Sequence, residues 1–108
     1  ALTSFDYMTD WDSWSWAGRA WPWHQRNDVV EAIVGAEISS ETPNEVAGKY
    51  AEMTGRDAKD GVIQLDDSYI RFVAGEGRDR LTGIDMTATD RSRAGESFDI
   101  ARTTIRLV

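Results

Sequence analysis

The chain has 108 residues, a length typical of one domain, and 41% of them are hydrophobic, which is enough for a folded core. Nineteen acidic residues against 12 basic ones give a net charge of −7, so the average field repels nucleic-acid phosphates and anionic lipids. We therefore expect neither nucleic acid nor a membrane as a partner. The absence of cysteine excludes disulfides, thiolate nucleophiles and cysteine-based zinc sites. No apolar run is long enough to cross a bilayer and the first residues lack a signal-peptide pattern, so we expect a cytoplasmic protein.

All tryptophans precede residue 28, at Trp11, Trp14, Trp16, Trp21 and Trp23. This composition predicts that a single domain, 1–108, consists of a Trp-rich arm at 1–28, a module at 29–90 and further strands at 91–108. Large aromatic rings are favoured at interfaces, so we expect the arm to pack over the sheet or across a dimer interface. The alternative is that Trp14, Trp16, Trp21 and Trp23 stack on a small-molecule ligand.

The clearest local signal is a helix start. Thr42 and Glu45 have the spacing of a capping box, Pro43 suits the first helical position, and Gly55 suits the C-terminal cap. The spacing predicts a helix of about three turns. Gly48 inside it costs about 1 kcal/mol relative to alanine; it marks either a close approach to a strand or, the interpretation we favour, a tolerated position.

Strands are predicted on both sides of this helix. The β-branched, apolar run at 29–38 predicts a strand covered on both faces. Residues 62–65 and 69–73 flank a DDS turn and predict a hairpin in which Ile63 and Leu65 can face Ile70 and Phe72.

Further strands follow the hairpin. At 81–89 apolar residues alternate with polar ones: Ile84, Met86 and Ala88 against Asp85, Thr87 and Thr89. This alternation predicts a half-exposed strand whose acidic and threonine side chains point outward. At the C-terminus, a turn or bulge is required near 101–103 if Phe98, Ile100, Ile105 and Leu107 all face inward. These elements predict an α+β fold.

The ordered series from Ile33 to Asp85 resembles a βαβββ module of the vicinal oxygen chelate superfamily, the glyoxalase and bleomycin-resistance fold. The residues of this resemblance are the strand GAEISSETP, the helix NEVAGKYAEMTG, the hairpin VIQLDDSYIRFV and the strand LTGIDMTATD. It is most similar to the uncharacterised glyoxalase-like proteins. The resemblance implies two paired modules whose curved sheets enclose a cleft for a metal or a small ligand.

Departures from the family pattern concern the metal and the second module. The resemblance implies a His or Gln ligand early in the first strand, but Gly35, or Ala36 one residue on, stands there. It also implies a Glu on a late strand, but Glu76 lies beyond YIRFVAG in a glycine-containing loop. Only RSRAGES stands where the helix of a second module would be. We therefore expect no metal cofactor, and a cleft completed by a second chain in a homodimer.

Two residues invite a chemical interpretation. His24, the sole histidine, could act as a general base beside Asp28, although a lone histidine in an arm is more often a hydrogen-bonded surface residue. Glu37 falls inside an apolar strand, where an unpaired charge is costly unless it lines a cleft or pairs with a cation such as Arg71. A divalent metal held by His24, Glu37 and Glu76 is the alternative.

Three functions are compatible with these features. The leading hypothesis is a metal-free, glyoxalase-like protein that binds a small, partly apolar molecule as a homodimer, with the four tryptophans, Glu37 and Arg71 as ligand-binding residues. The second is a metal-dependent lyase or dioxygenase of the same fold. The third is a non-catalytic interaction domain that docks on another protein through its arm.

Overall fold

The computed structural model describes residues 20–108. Predictions that concern Trp11, Trp14 and Trp16 lie outside this range. The described chain forms one mixed seven-stranded sheet with one α-helix, so the α+β class is confirmed. No helix within residues 20–108 has the length and apolar character needed to cross a membrane.

The sheet contains every strand of the described chain. The elements are β1 Val30–Ser40, α1 Pro43–Thr54, β2 Ala58–Lys59, β3 Val62–Gln64, β4 Tyr69–Ala74, β5 Arg80–Ala88, β6 Ser97–Ile100 and β7 Thr103–Leu107. Their order across the sheet is β2-β3-β4-β1-β5-β7-β6. The pairs β1–β4 and β5–β7 are parallel, and the other neighbours are antiparallel. Strand β1 therefore lies at the centre, between β4 and β5.

Helix α1 begins and ends where the sequence predicts, but its N-terminus is capped differently. The side chain of Thr42 makes no capping hydrogen bond, so the predicted capping box is wrong. Instead, the backbone N–H of Thr42 donates to Oγ of Ser40 at 3.1 Å. Gly55 ends the helix in the left-handed region, with φ 66°, as predicted. Space around Gly48 is open, which supports the interpretation of a tolerated position.

The main core lies between α1 and one side of the sheet, which we call the helix face. It consists of Ile38, Val46, Ala47, Tyr50, Ile63, Ile70 and Phe72, with Leu65 packed against it. Ile63 and Ile70 pair directly across the predicted hairpin, and Ile63 is fully buried. Tyr50 meets Phe72 edge to face, with ring centroids 5.2 Å apart. The opposite side of the sheet, which bears Glu37 and Arg71, we call the ionic face.

The short strand β2 was not predicted from the sequence. β2 pairs with β3 across a tight turn at Asp60 and Gly61, whose φ values are both positive, 52° and 75°. Asp-Gly is a strong signal for such a two-residue hairpin turn. The strand itself, Ala58–Lys59, is exposed and lacks the apolar pattern that would have predicted it.

Three predictions of side-chain burial are wrong. Strand β1 is not covered on both faces, because α1 packs over its C-terminal half and Ile33 remains 64% exposed. The turn near 101–103 is confirmed, at Ala101 and Arg102, which both have positive φ. Of the residues expected to face inward around it, Leu107 is buried, but Phe98 and Ile100 are 42% and 62% exposed.

The third concerns β5, where one acidic residue of the predicted outward side is buried. The prediction placed Asp85 outward, but it is 3% exposed, whereas its neighbours Ile84 and Met86 are half-buried. This reversal places a carboxylate in the middle of the ionic face.

Candidate functional site

Four charged side chains meet at the centre of the ionic face. Glu37 on β1 lies directly opposite Arg71 on β4, and Asp85 on β5 lies directly opposite Arg106 on β7. Because paired residues in adjacent strands point to the same side, these two acid–arginine pairs share one face. We call Glu37, Arg71, Asp85 and Arg106 the charge cluster.

Each arginine of the cluster bridges both acids. Nη2 of Arg71 lies 3.0 Å from Glu37 and 3.2 Å from Asp85. Arg106 reaches Glu37 through Nη2 and Asp85 through Nη1, each at 3.0 Å. The two acid–arginine pairs are thus joined into a closed network with two positive and two negative charges.

Neighbouring hydroxyl groups complete this network. The register between β1 and β5 shifts after Glu37, which leaves Thr82 as an extra residue whose hydroxyl donates to Glu37 at 3.0 Å. The phenol of Tyr69 donates a short hydrogen bond to Asp85. The guanidinium of Arg71 also lies over the ring of Tyr69, with Cζ 5.7 Å from its centroid.

Two glycines make room for these side chains. A Cβ at Gly35 would stand 2.5 Å from ring carbons of Tyr69, and a Cβ at Gly83 would overlap the guanidinium of Arg106. Gly35 pairs with Asp85, and Gly83 pairs with Glu37. Each acid therefore has a glycine as its cross-strand neighbour between β1 and β5, and Tyr69 and Arg106 fill the space that a side chain would take.

Burial differs sharply between the acids and the arginines. The side chains of Asp85 and Glu37 are 4% and 13% exposed, whereas those of Arg71 and Arg106 are each 31% exposed. The carboxylates thus lie against the sheet, beneath the guanidinium groups. Hydrogen bonds within residues 20–108 use Nε and Nη2 of Arg71, and Nη1 and Nη2 of Arg106. Since a guanidinium has five N–H donors, both arginines retain donors for a further acceptor.

The network keeps both acids ionised. Burial by itself raises the pKa of Asp85, but the hydrogen bonds from Tyr69 and Arg106 and the nearby arginine charges outweigh it, so its pKa lies below the ordinary value. Burial likewise raises the pKa of Glu37, but the hydrogen bonds from Arg106, Thr82 and Arg71 lower it by more. The pKa of Glu37 therefore also lies below its ordinary value. Burial and then the bond to Asp85 raise the pKa of the Tyr69 phenol, which therefore remains protonated.

The ligand-binding residues predicted from sequence come together in part. Glu37 and Arg71 form the predicted ion pair. Trp21 and Trp23 lie in a short 3-10 turn, Trp21–His24, where Trp21 is half-buried and Trp23 is 85% exposed. Trp14 and Trp16 belong to the range that is not described.

The residues present do not fit the metal that the family resemblance implies. The ring of Tyr69 fills the space at Gly35, and both arginines neutralise Glu37, so a cation would meet two guanidinium charges. His24 and Glu76 are exposed, in the 3-10 turn and in the β4–β5 loop. Within residues 20–108, no group of three or more histidines, aspartates and glutamates is placed to hold a metal ion.

Comparisons with known proteins give a structural likeness. No protein-family model matches the chain, and no curated protein matches it. A solved structure of a hypothetical protein from Staphylococcus aureus is similar over 71% of this chain, with a TM-score of 0.58 and 14% sequence identity. The match covers 32% of that longer chain. At this identity the likeness shows a shared fold alone.

Proposed function

We propose that this chain is a glyoxalase-like protein that binds a small, partly apolar molecule on its ionic face, without a metal ion and as a homodimer. The order strand, helix and three strands from β1 to β5, with the two-residue β2 inserted, supports the resemblance. The observation that carries the proposal is the charge cluster, in which half-exposed arginines lie over buried carboxylates on the side of the sheet opposite α1.

The chemistry of the cluster indicates a ligand with a carboxylate or a similar planar anionic group. Arginine binds such groups through two parallel N–H···O bonds, and Arg71 and Arg106 keep unused donors at a partly exposed surface. Glu37 and Asp85 serve as positioning residues, because each fixes both guanidinium groups. The aromatic ring of Tyr69 provides apolar surface beside them.

A single sheet face provides one wall, and a cleft needs two. Helix α1 packs on the opposite side of the sheet, so it does not cover this face. A second copy of the chain, with its ionic face turned toward the first, provides the second wall. Two neutral clusters can face one another without net repulsion between them.

The experiment is a thermal-shift titration with benzoate, the smallest aromatic carboxylate, and with benzamide as its uncharged counterpart. Benzoate is expected to raise Tm as its concentration increases, with the stabilisation following RT ln(1 + [L]/Kd), whereas benzamide has little effect. Arg106→Lys keeps the charge but removes the planar fork, so it is expected to weaken the benzoate effect about tenfold, equivalent to about 1.4 kcal/mol. Equal responses to both probes, or no response to short aliphatic and aromatic carboxylates, would contradict the proposal.

Light scattering tests the dimer separately. The proposal predicts twice the mass of one chain at micromolar concentration. A monomer that still binds benzoate would remove the homodimer from the proposal and leave the arginine site intact.

A further inference from the structure

Arg80, the first residue of β5, places a third arginine on the ionic face. The register pairs it with Ser39 of β1, and Ser39 pairs in turn with Val73 of β4. Paired residues in adjacent strands point to the same side of a sheet, and so do residues two apart in one strand. Because Ser39 lies two residues from Glu37 on β1, Arg80 belongs to the same face as the charge cluster.

Arg80 lies close to the cluster along the strands. The rows that contain Glu37 and Ser39 are two residues apart on β1, which corresponds to about 7 Å. Arg80 is one strand from Ser39, and neighbouring strands are about 5 Å apart. The extra residue Thr82 lies between Arg80 and the row of Glu37, and its hydroxyl donates to Glu37. A ligand held by the cluster is therefore within reach of the long Arg80 side chain.

The charge of Arg80 is uncompensated within the described chain. Arg80 is exposed and makes no ion pair with any acid in residues 20–108. The four members of the cluster, in contrast, neutralise one another. On a chain with a net charge of −7, Arg80 thus adds a local positive charge beside a neutral network. Such a position favours a second anionic group.

The surface between the cluster and Arg80 is made of short side chains. Val73 is half-buried and Ser39 is 6% exposed. Gly75 approaches Ser39 so closely that a Cβ on the glycine would overlap the serine Oγ. This part of the ionic face therefore provides a low, partly apolar surface on which the body of a ligand can lie.

We propose that the ligand of the ionic face is a dicarboxylate with a short apolar body. One carboxylate is bound by Arg71 and Arg106, and the other by Arg80. The body lies over Val73 and Ser39. This inference rests on the proposed function and adds the ligand class, with Arg80 as the residue that selects dianions over monoanions.

Three probes of related shape test the inference by calorimetry at constant ionic strength: benzoate, terephthalate and 4-carbamoylbenzoate. The last has an uncharged amide where terephthalate has its second carboxylate. Terephthalate is expected to bind about tenfold more tightly than 4-carbamoylbenzoate, since charge-assisted hydrogen bonds are the stronger ones. Equal affinities of these two, with benzoate still bound, would overturn the inference and leave the proposed function intact. Failure of all three to bind would overturn the proposed function itself.

A matched pair of variants tests the role of Arg80. Arg80→Gln is expected to remove most of the preference for terephthalate and to leave the Kd of benzoate unchanged. Arg78→Gln removes the same charge from the exposed β4–β5 loop and is expected to retain the preference. Equal losses in both variants would indicate long-range attraction only and contradict the assignment. A preference that persists in Arg80→Gln would place the second carboxylate elsewhere, for example on the cluster of a second copy, and would equally contradict it.

The NMR signal of the Arg80 Nε–H reports the contact directly, and its loss in Arg80→Gln assigns it. Saturation with terephthalate is expected to shift this signal, whereas benzoate shifts those of Arg71 and Arg106 and leaves Arg80 unchanged. An Arg80 signal that does not move on saturation with terephthalate would refute the inference.

Discussion

The ring of Tyr69 occupies the space where a side chain at Gly35 would begin, 2.5 Å from an ideal Cβ. Gly35 is the residue that stands where the family resemblance implies a metal ligand. The position is therefore filled by a ring from the neighbouring strand, and the phenol of that ring is bonded to Asp85. This one contact connects the lack of a side chain at Gly35 to the formation of the charge cluster.

Replacing Gly35 by alanine is expected to lower the free energy of unfolding by about 1–3 kcal/mol, because Tyr69 must move away from Asp85 to make room. Urea denaturation at pH 7 measures the change. The double variant with Tyr69→Leu should restore part of the loss. A Gly35→Ala protein as stable as the original would show that Tyr69 moves freely.

Gly48→Ala provides the matched control in the same chain. Within residues 20–108, no atom apart from the adjacent residues and the backbone of α1 itself lies within 4 Å of the added Cβ, and the residue is inside α1. The change is expected to raise the free energy of unfolding by up to about 1 kcal/mol, since glycine is a poor helix former. A decrease in the same urea titration would indicate that α1 packs against something at this position.

Asp85→Asn is expected to lower the free energy of unfolding by about 1–3 kcal/mol, because the buried carboxylate accepts hydrogen bonds from Tyr69 and both arginines. Glu31→Gln is the comparison, since Glu31 pairs with Arg91 at 2.6 Å but its side chain is 55% exposed. That change should alter stability by less than about 1 kcal/mol. Equal effects of the two substitutions would mean that burial adds nothing to the cluster.

The acid dependence of stability follows from the lowered pKa values of Glu37 and Asp85. A carboxylate whose pKa is lower in the folded state contributes stability above its unfolded pKa, and that stability is lost as the pH falls through the folded pKa. The stability difference between the original protein and Asp85→Asn should therefore be constant near neutral pH and decrease below the ordinary aspartate value of 3.8. Denaturation curves from pH 7 to pH 2 measure it; a difference that grows in acid would contradict the direction of the shift.

The sequence predicted the helix and most of the strands because their signals are local. Pro43 and Gly55 mark the ends of α1, and the apolar alternation of the hairpin places Ile63 opposite Ile70. The pairing of Glu37 with Arg71 was one of the alternatives predicted for a charge inside an apolar strand, and the structure contains it.

Half of the charge cluster was not predicted, for physical reasons. Alternation along β5 assigns the apolar residues inward, so Asp85 was placed in solvent, and its pairing with Arg106 depends on a parallel contact between strands distant in sequence. The available signal was glycine inside a strand: Gly35 and Gly83 both mark a close approach by another group. The exposure of Phe98 and Ile100 was not predicted, because an apolar residue type favours burial but does not show whether another element packs on the strand.

The most direct test of the ionic-face account records arginine Nε–H signals during two titrations of the full chain, one with benzoate and one with Mn²⁺. If the ionic face binds a carboxylate without a metal ion, benzoate shifts the signals of Arg71 and Arg106, while Mn²⁺ leaves them unbroadened at equimolar concentration. Broadening of both signals by equimolar Mn²⁺, with no shift from benzoate, would show that Glu37 and Asp85 form a metal site and would contradict the account.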